Sequence, residues 1–221
     1  GTSWVLDRTT QWTPSSWKTD GSQVTESSNT VTMNIQTRST NHAVTSDIGK
    51  ALSDDTWVMR SKVIFATLTN GGGSTVYLEL GVGSKNADTA FANGGLTLDF
   101  IGLQMRTVNQ DHGWGLVAYD SSGSLNNPES PEMDTDQTTG TYYVEIKRTS
   151  NTAMSIGLYS DSGYSTLVMP VETKAVGTGV TGLRYLRVGN AGMVSESSTG
   201  NVIAGTVSDI KIQDGVTEWV E

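Results

Sequence analysis

The run Asp55-Thr56-Trp57-Val58-Met59-Arg60-Ser61-Lys62-Val63-Ile64-Phe65 alternates with a period of two. Trp57, Met59, Val63 and Phe65 fall on one side, and Arg60 and Lys62 on the other. A strand with one buried face produces this pattern and a helix does not. The same alternation recurs along the chain. Val76, Leu78, Leu80 and Val82 oppose Tyr77 and Glu79; Ile101, Leu103 and Met105 oppose Gly102, Gln104 and Arg106; Tyr142, Val144 and Ile146 oppose Glu145 and Lys147. Further strands are expected at Val31–Thr37, Trp114–Tyr119, Met154–Ser160, Val168–Lys174, Leu183–Gly189 and Val202–Ile212.

Turn-forming clusters separate these runs at short intervals, among them Asn70-Gly71-Gly72-Gly73, Asn93-Gly94-Gly95, Ser121-Ser122-Gly123 and Asp161-Ser162-Gly163. Many short strands punctuated in this way predict an all-β fold, an antiparallel two-sheet jelly-roll sandwich. Helix is expected only as a single turn over Ser46–Leu52. Residues 1–221 read as one domain, with residues 1–30 as an N-terminal segment that wraps the sandwich. Trp4, Trp12 and Trp17 are expected to pack in that segment and Trp219 to close the far end, while Leu125–Thr139 reads as a long loop. The core is expected to hold Trp57, Phe65, Leu78, Leu80, Ile101, Leu103, Val144, Ile146, Leu186, Val188 and Ile210.

A formal net charge of −9 argues against a nucleic-acid partner, whose phosphates need a basic face. The chain has no cysteine, so disulfides and thiolate metal sites are excluded. No apolar run approaches the ~18–20 residues of a membrane span. The opening Gly1-Thr2-Ser3-Trp4 lacks the basic head and apolar stretch of an export signal, which is expected to be already absent. Ser and Thr make up about a quarter of the residues, and 25 glycines supply turns. That balance suits an extracellular, cell-surface or virion location.

Four stretches carry a family resemblance. They are Asp47-Ile48-Gly49 followed by Ser53-Asp54-Asp55-Thr56-Trp57-Val58-Met59-Arg60; Asp99-Phe100-Ile101-Gly102-Leu103; Thr141-Tyr142-Tyr143-Val144-Glu145-Ile146; and Gly182-Leu183-Arg184-Tyr185-Leu186-Arg187-Val188-Gly189-Asn190 with Gly205-Thr206-Val207-Ser208-Asp209-Ile210-Lys211-Ile212. In content and order they resemble the concanavalin A-like lectin/glucanase superfamily, which includes laminin-G-like jelly rolls, and especially its Thr/Ser-rich sandwiches from archaeal and phage surface proteins. The resemblance implies the fold and leaves the function open, because the fold hosts lectins, hydrolases, lyases and adhesion domains. Glycosidases of this kind carry a Glu-x-Asp-x-x-Glu strand whose carboxylates stand about 5–6 Å apart. That motif is missing here, and Glu79 and Glu145 stand alone on their strands. Lyases of the fold carry Arg, Gln, His and Tyr clusters on one sheet, for which His112 is the histidine to consider. The resemblance also implies a structural Ca2+ at Asp209, the last-strand aspartate, with Asp7 or Asp20 as a possible N-terminal partner.

Sugars present apolar C–H faces and hydroxyl edges, so a binding site joins aromatic rings to amides, carboxylates or guanidinium groups. Gln104, Arg106, Asp111, His112, Trp114 and Tyr119 offer that mixture, and Tyr185 and Arg187 are expected to share their sheet face. The competing reading puts Trp114 and Tyr185 in the core or against an edge. Gly177-Thr178-Gly179-Val180-Thr181-Gly182 spells a dinucleotide fingerprint, but a strand is expected to follow it where that motif needs a helix. The sequence thus points to a non-catalytic carbohydrate-binding or adhesion module with a glycan partner reached through residues 104–119 rather than the termini. Two alternatives stand beside it: a viral or cell-surface structural protein that contacts copies of itself or other surface proteins, and a polysaccharide-degrading enzyme with an atypical site.

Overall fold

A computed structural model describes residues 11–36, 42–69, 76–86, 91–92, 95–96, 98–108, 111–121, 139–190 and 200–221, with side chains at all of these except 76–77, 91–92, 95–96, 106–108 and 111–112. The described residues hold strands and turns and no helix. Numbered in chain order, the strands of the first sheet (sheet A) lie side by side as β14 (Glu172–Ala175), β13 (Ala153–Tyr159), β12 (Gly140–Ser150), β6 (Trp57–Thr69), β16 (Val202–Asp214), β4 (Thr30–Ile35) and β3 (Val24–Ser27). A short β1 (Gln11–Trp12) pairs with Ile212 and Gln213 of β16. The second sheet (sheet B) runs β11 (Asp111–Tyr119), β10 (Phe100–Val108), β7 (Val76–Gly83), β15 (Tyr185–Gly189), β5 (Ala43–Asp47) and β2 (Trp17–Asp20). A separate pair joins β8 (Phe91–Ala92) to β9 (Gly95–Leu96). All pairings are antiparallel, and the two sheets form a sandwich.

The alternation places the core. Trp57, Met59, Val63 and Phe65 of β6 and Tyr142, Val144 and Ile146 of β12 turn inward from sheet A, against Leu78, Leu80, Ile101, Leu103, Leu186 and Val188 of sheet B. Each of the core residues expected from the sequence is buried, including Ile210 at 3% exposure. Two departures from a regular ladder shape β16. Its register against β6 shifts at Gly205, where an added Cβ would stand 1.8 Å from the Ile64 carbonyl oxygen. It shifts again between Ser208 and Lys211, where Asp209 takes a left-handed φ of 52°. That second bulge inserts one residue, so Ile210 and Ile212 stay inside while Asp209 and Lys211 lie exposed on the outer side.

Several expectations need correction. Ser46–Leu52 forms no helical turn: its N–H groups bond across to the segment entering β15, from Ile48 to the Arg184 oxygen and from Leu52 to the Leu183 oxygen. The segment 1–30, over its described part, supplies strands to both sheets. β2 is the edge of sheet B and β3 the edge of sheet A, and Trp12 and Trp17 pack against the core. Of the strand expected at Val168–Lys174, the ladder forms from Glu172 onward as β14, while Val168 makes a single bond, its N–H donating to the Leu158 carbonyl at 2.8 Å, and Leu167, Val168 and Val171 are exposed. The expected loop at Leu125–Thr139 and Trp4 lie outside the described residues, apart from Thr139.

Trp114 is the main correction. It is fully buried, with its ring centroid 4.8 Å from that of Phe65 at 77° and 5.5 Å from that of Tyr142 at 64°. The register explains why: Met105 pairs with Trp114 and Leu103 with Leu116, so Trp114 shares the inward face of β10. Its ring joins the two sheets and offers no surface to a sugar. Trp114→Ala should therefore lower unfolding stability by about 3–5 kcal/mol, as a large-to-small core change does. Urea denaturation checks this; a loss under about 1 kcal/mol would place the ring outside the core.

Candidate functional site

Cross-strand register on sheet B brings predicted residues together on its outer face. Gln104 lies opposite Glu79 and Gly115, Arg187 opposite Gly81 and Thr45, and Tyr119 opposite Phe100. Glu79 sits at the centre. Its Oε1 accepts bonds from the Tyr119 hydroxyl at 3.0 Å and from Gln104 Nε2 at 3.2 Å. Its Oε2 accepts from Arg187 Nη1 at 3.2 Å, and Arg187 Nη2 donates to the Asn190 carbonyl at 2.8 Å. Gln104 Nε2 also donates to the Tyr119 oxygen at 2.7 Å. Burial pushes the Glu79 carboxyl up, and Arg187, Tyr119 and Gln104 pull it back. Burial likewise lowers the Arg187 guanidinium against the opposing charge of Glu79.

This network is closed to solvent. Glu79 and Arg187 are each 1% exposed, Tyr119 5% and Gln104 7%. The sheet is paved with glycine beneath it: a Cβ on Gly81 would meet the Ile101 oxygen at 2.2 Å, and one on Gly102 the Leu80 oxygen at 2.5 Å. The Phe100 ring fills the space above and stacks on Tyr119, with centroids 5.8 Å apart. Gln104, Tyr119 and Arg187 thus meet around Glu79, as a buried structural cluster. Tyr185 is half-buried beside the Arg184 guanidinium, 5.6 Å from its ring. The side chains of Arg106, Asp111 and His112 lie outside the described residues. Glu79 was legible only as an outward residue on an apolar strand; nothing local ties it to Arg187, 108 positions away.

Asp209 is exposed, and Asp20 lies on the other sheet; Asp7 is outside the described residues. Calcium takes about six to eight oxygen ligands, and among the described residues no group of three or more His, Cys, Asp or Glu could hold a metal. The described residues at Asp209 supply no such ligand set.

An open site lies on the outer face of sheet A. A cleft of about 240 Å³ is lined by Arg60 of β6, Tyr143 of β12, Asp209 and Lys211 of β16, Ser162 and Tyr164 of the loop after β13, and Trp219 and Glu221 beyond β16. The Arg60 guanidinium lies 4.1 Å from the Tyr164 ring centroid and 4.9 Å from that of Trp219. Tyr164 has a left-handed φ of 54°, set by a loop gathered on the Asp161 carboxylate. That carboxylate accepts N–H bonds from Gly163 at 3.0 Å, Ser165 at 3.2 Å and Thr166 at 2.6 Å. Burial holds the Tyr164 phenol well above its ordinary pKa, so it stays a neutral donor, to the Ser61 carbonyl at 3.3 Å. Gln213 fastens the segment that carries Trp219: its Nε2 donates to the Val220 oxygen at 2.7 Å and its Oε1 accepts the Val220 N–H at 2.9 Å.

No protein-family model matches the sequence, and no curated protein does. Among solved structures, the chain is similar to the PL7 alginate lyase AlyA1 of Zobellia galactanivorans, at 15% identity over 86% of this chain and 83% of that one, with a TM-score of 0.51. It is similar to the alginate lyase Aly36B at 11% identity, over 90% and 87% of the two chains, with a TM-score of 0.50. The fold is an antiparallel two-sheet jelly roll like that of these structures. The exoplasmic/lumenal domain of VIP36 in its Ca2+-bound form aligns over 92% of this chain and 86% of that one, at 12% identity and a TM-score of 0.49.

Within this jelly roll, the Glu79–Arg187 pair is coupled by burial. Arg187→Leu should cost about 3–5 kcal/mol, because it leaves a buried carboxylate without its partner. Glu79→Leu combined with Arg187→Leu should cost clearly less than the two single losses added together. Equilibrium unfolding of the four proteins checks this; additive losses would show that the charges are not coupled.

Proposed function

We propose that the protein is a non-catalytic carbohydrate-binding module of an extracellular or cell-surface protein, and that sugar binds in the Arg60 cleft of sheet A. The lining of that cleft carries the reading. Trp219 and Tyr143 supply ring faces for the C–H side of a pyranose, and Asp209, Lys211 and Ser162 supply an acceptor and donors for its hydroxyls. The volume of about 240 Å³ is below the ~300–1,000 Å³ of sites for drug-sized ligands, which suits one or two sugar rings. Stacking on one ring contributes about 1–2 kcal/mol, so affinity falls in the micromolar-to-millimolar range and multiple copies would raise it by avidity.

Binding without turnover is favoured by the state of the carboxylates. Glu79 has both oxygens engaged, and Glu145 is held by Arg60 at 2.7 Å and Lys147 at 2.9 Å. The two lie on outer faces of opposite sheets, so they cannot flank one glycosidic bond. On a glycan array, wild type should retain at least one oligosaccharide, and Trp219→Ala should lose about tenfold in affinity, the worth of one stacked ring. Assays for unsaturated sugar on alginate and pectin, and for reducing ends on β-glucans, should stay at background. Turnover lost in Glu79→Gln or Glu145→Gln would replace this reading with the enzymatic one.

One observation favours the structural-protein reading. Leu167, Val168 and Val171 are 45%, 42% and 47% exposed beside the edge strand β14, an apolar patch that would suit contact with another copy or another surface protein. Sedimentation velocity decides it: a concentration-dependent dimer abolished by Leu167→Asp supports self-association, and a monomer at all concentrations removes it.

A further inference from the structure

Resting on the reading of the Arg60 cleft as a sugar site, we infer that it selects an uncharged glycan and turns away uronates and other anionic sugars. The positive charge that would attract an anion is already matched. Arg60 donates through Nε to Glu145 Oε2 at 2.7 Å and through Nη1 to Glu221 Oε1 at 3.3 Å. Lys147 bridges Glu145 and Glu218. Two cations therefore face three carboxylates, and at the rim Lys211 and the neighbouring Lys62, which lies opposite Tyr143, stand with Asp209, so that four cations meet four carboxylates. A sugar carboxylate entering here finds no net positive charge, in a protein whose total charge is −9.

The partners differ in how firmly they hold. Glu145 is 4% exposed and fixed between Arg60 and Lys147, whereas Glu221 and Glu218 are 90% and 76% exposed. Surface ion pairs of that kind are weak and screened by salt. Glu145 is thus a permanent counter-ion, and Glu218 and Glu221 act as a removable negative screen carried by the segment that brings in Trp219. What remains for recognition is largely uncharged: the rings of Tyr143 and Trp219 and the hydroxyls of Ser162 and Tyr143, with rim charges of both signs at Lys211 and Asp209. Such a surface fits the C–H face and hydroxyl edge of a neutral hexose or pentose.

The test follows the Trp219 indole N–H signal by nitrogen-labelled NMR, assigned with Trp219→Phe. Neutral oligomers of glucose, mannose and xylose are titrated beside oligomers of mannuronate and galacturonate. At least one neutral oligomer should shift the signal while the uronates leave it in place, and the neutral affinity should change less than about threefold between low and high salt. Glu218→Gln with Glu221→Gln should admit a uronate, with a salt-sensitive affinity. A wild-type response to uronates equal to or larger than that to neutral sugars overturns the selectivity and leaves the sugar site standing. A double variant that still excludes uronates overturns the charge screen. No response to any oligomer overturns both the selectivity and the sugar site.

Discussion

The rest of the molecule hangs on the contact of two apolar faces through β6 and β12 on one side and β7, β10, β11 and β15 on the other. At its heart Trp114 meets Phe65 and Tyr142 edge to face, so a residue of sheet B is wedged between two of sheet A. Once those rings are inside, the period of two leaves no choice for their neighbours. Arg60, Tyr143 and Glu145 must project from sheet A, and Glu79, Gln104, Tyr119 and Arg187 from sheet B. The chemistry of the surface is thus a by-product of core packing.

The two outer faces then take opposite fates. Sheet B fills its face with a ring, an ion pair and glycine-lined backbone, which leaves no room for a visitor. Sheet A keeps a gap above Arg60, held open by two residues with left-handed backbone, Tyr164 and Asp209. Such conformations cost free energy and persist where surrounding bonds enforce them. Asp161 enforces the first and the β16 bulge the second.

The inward residues were legible in the sequence because alternation is local. The reading of Trp114 failed by that same criterion. Trp114 and Tyr119 are an odd number of positions apart on an unbroken strand and so cannot share a face, and grouping them by chemistry ignored the pleat. The Glu79–Arg187 pair was not legible, since it depends on β7 lying between β10 and β15. The bulge at Asp209 leaves no compositional mark, because the residue is neither Gly nor Asn. Trp219 looked like a plug for the end of the sandwich, and the pairing of Gln213 with Val220, with the contacts of Arg60 to Trp219 and Glu221, brings it back over β6.

Gln213 anchors a segment that contributes nothing to the inner faces, and Val220 within it is 45% exposed. Substitutions at positions 218, 219 and 221 therefore leave the hydrophobic core untouched and should be nearly neutral for folding. A lineage could rewrite these positions freely, trading one surface chemistry for another while the sandwich beneath stays the same. In this architecture the fold and the outer surface of sheet A can evolve at separate rates, and the chain between Gln213 and Trp219 is where they come apart.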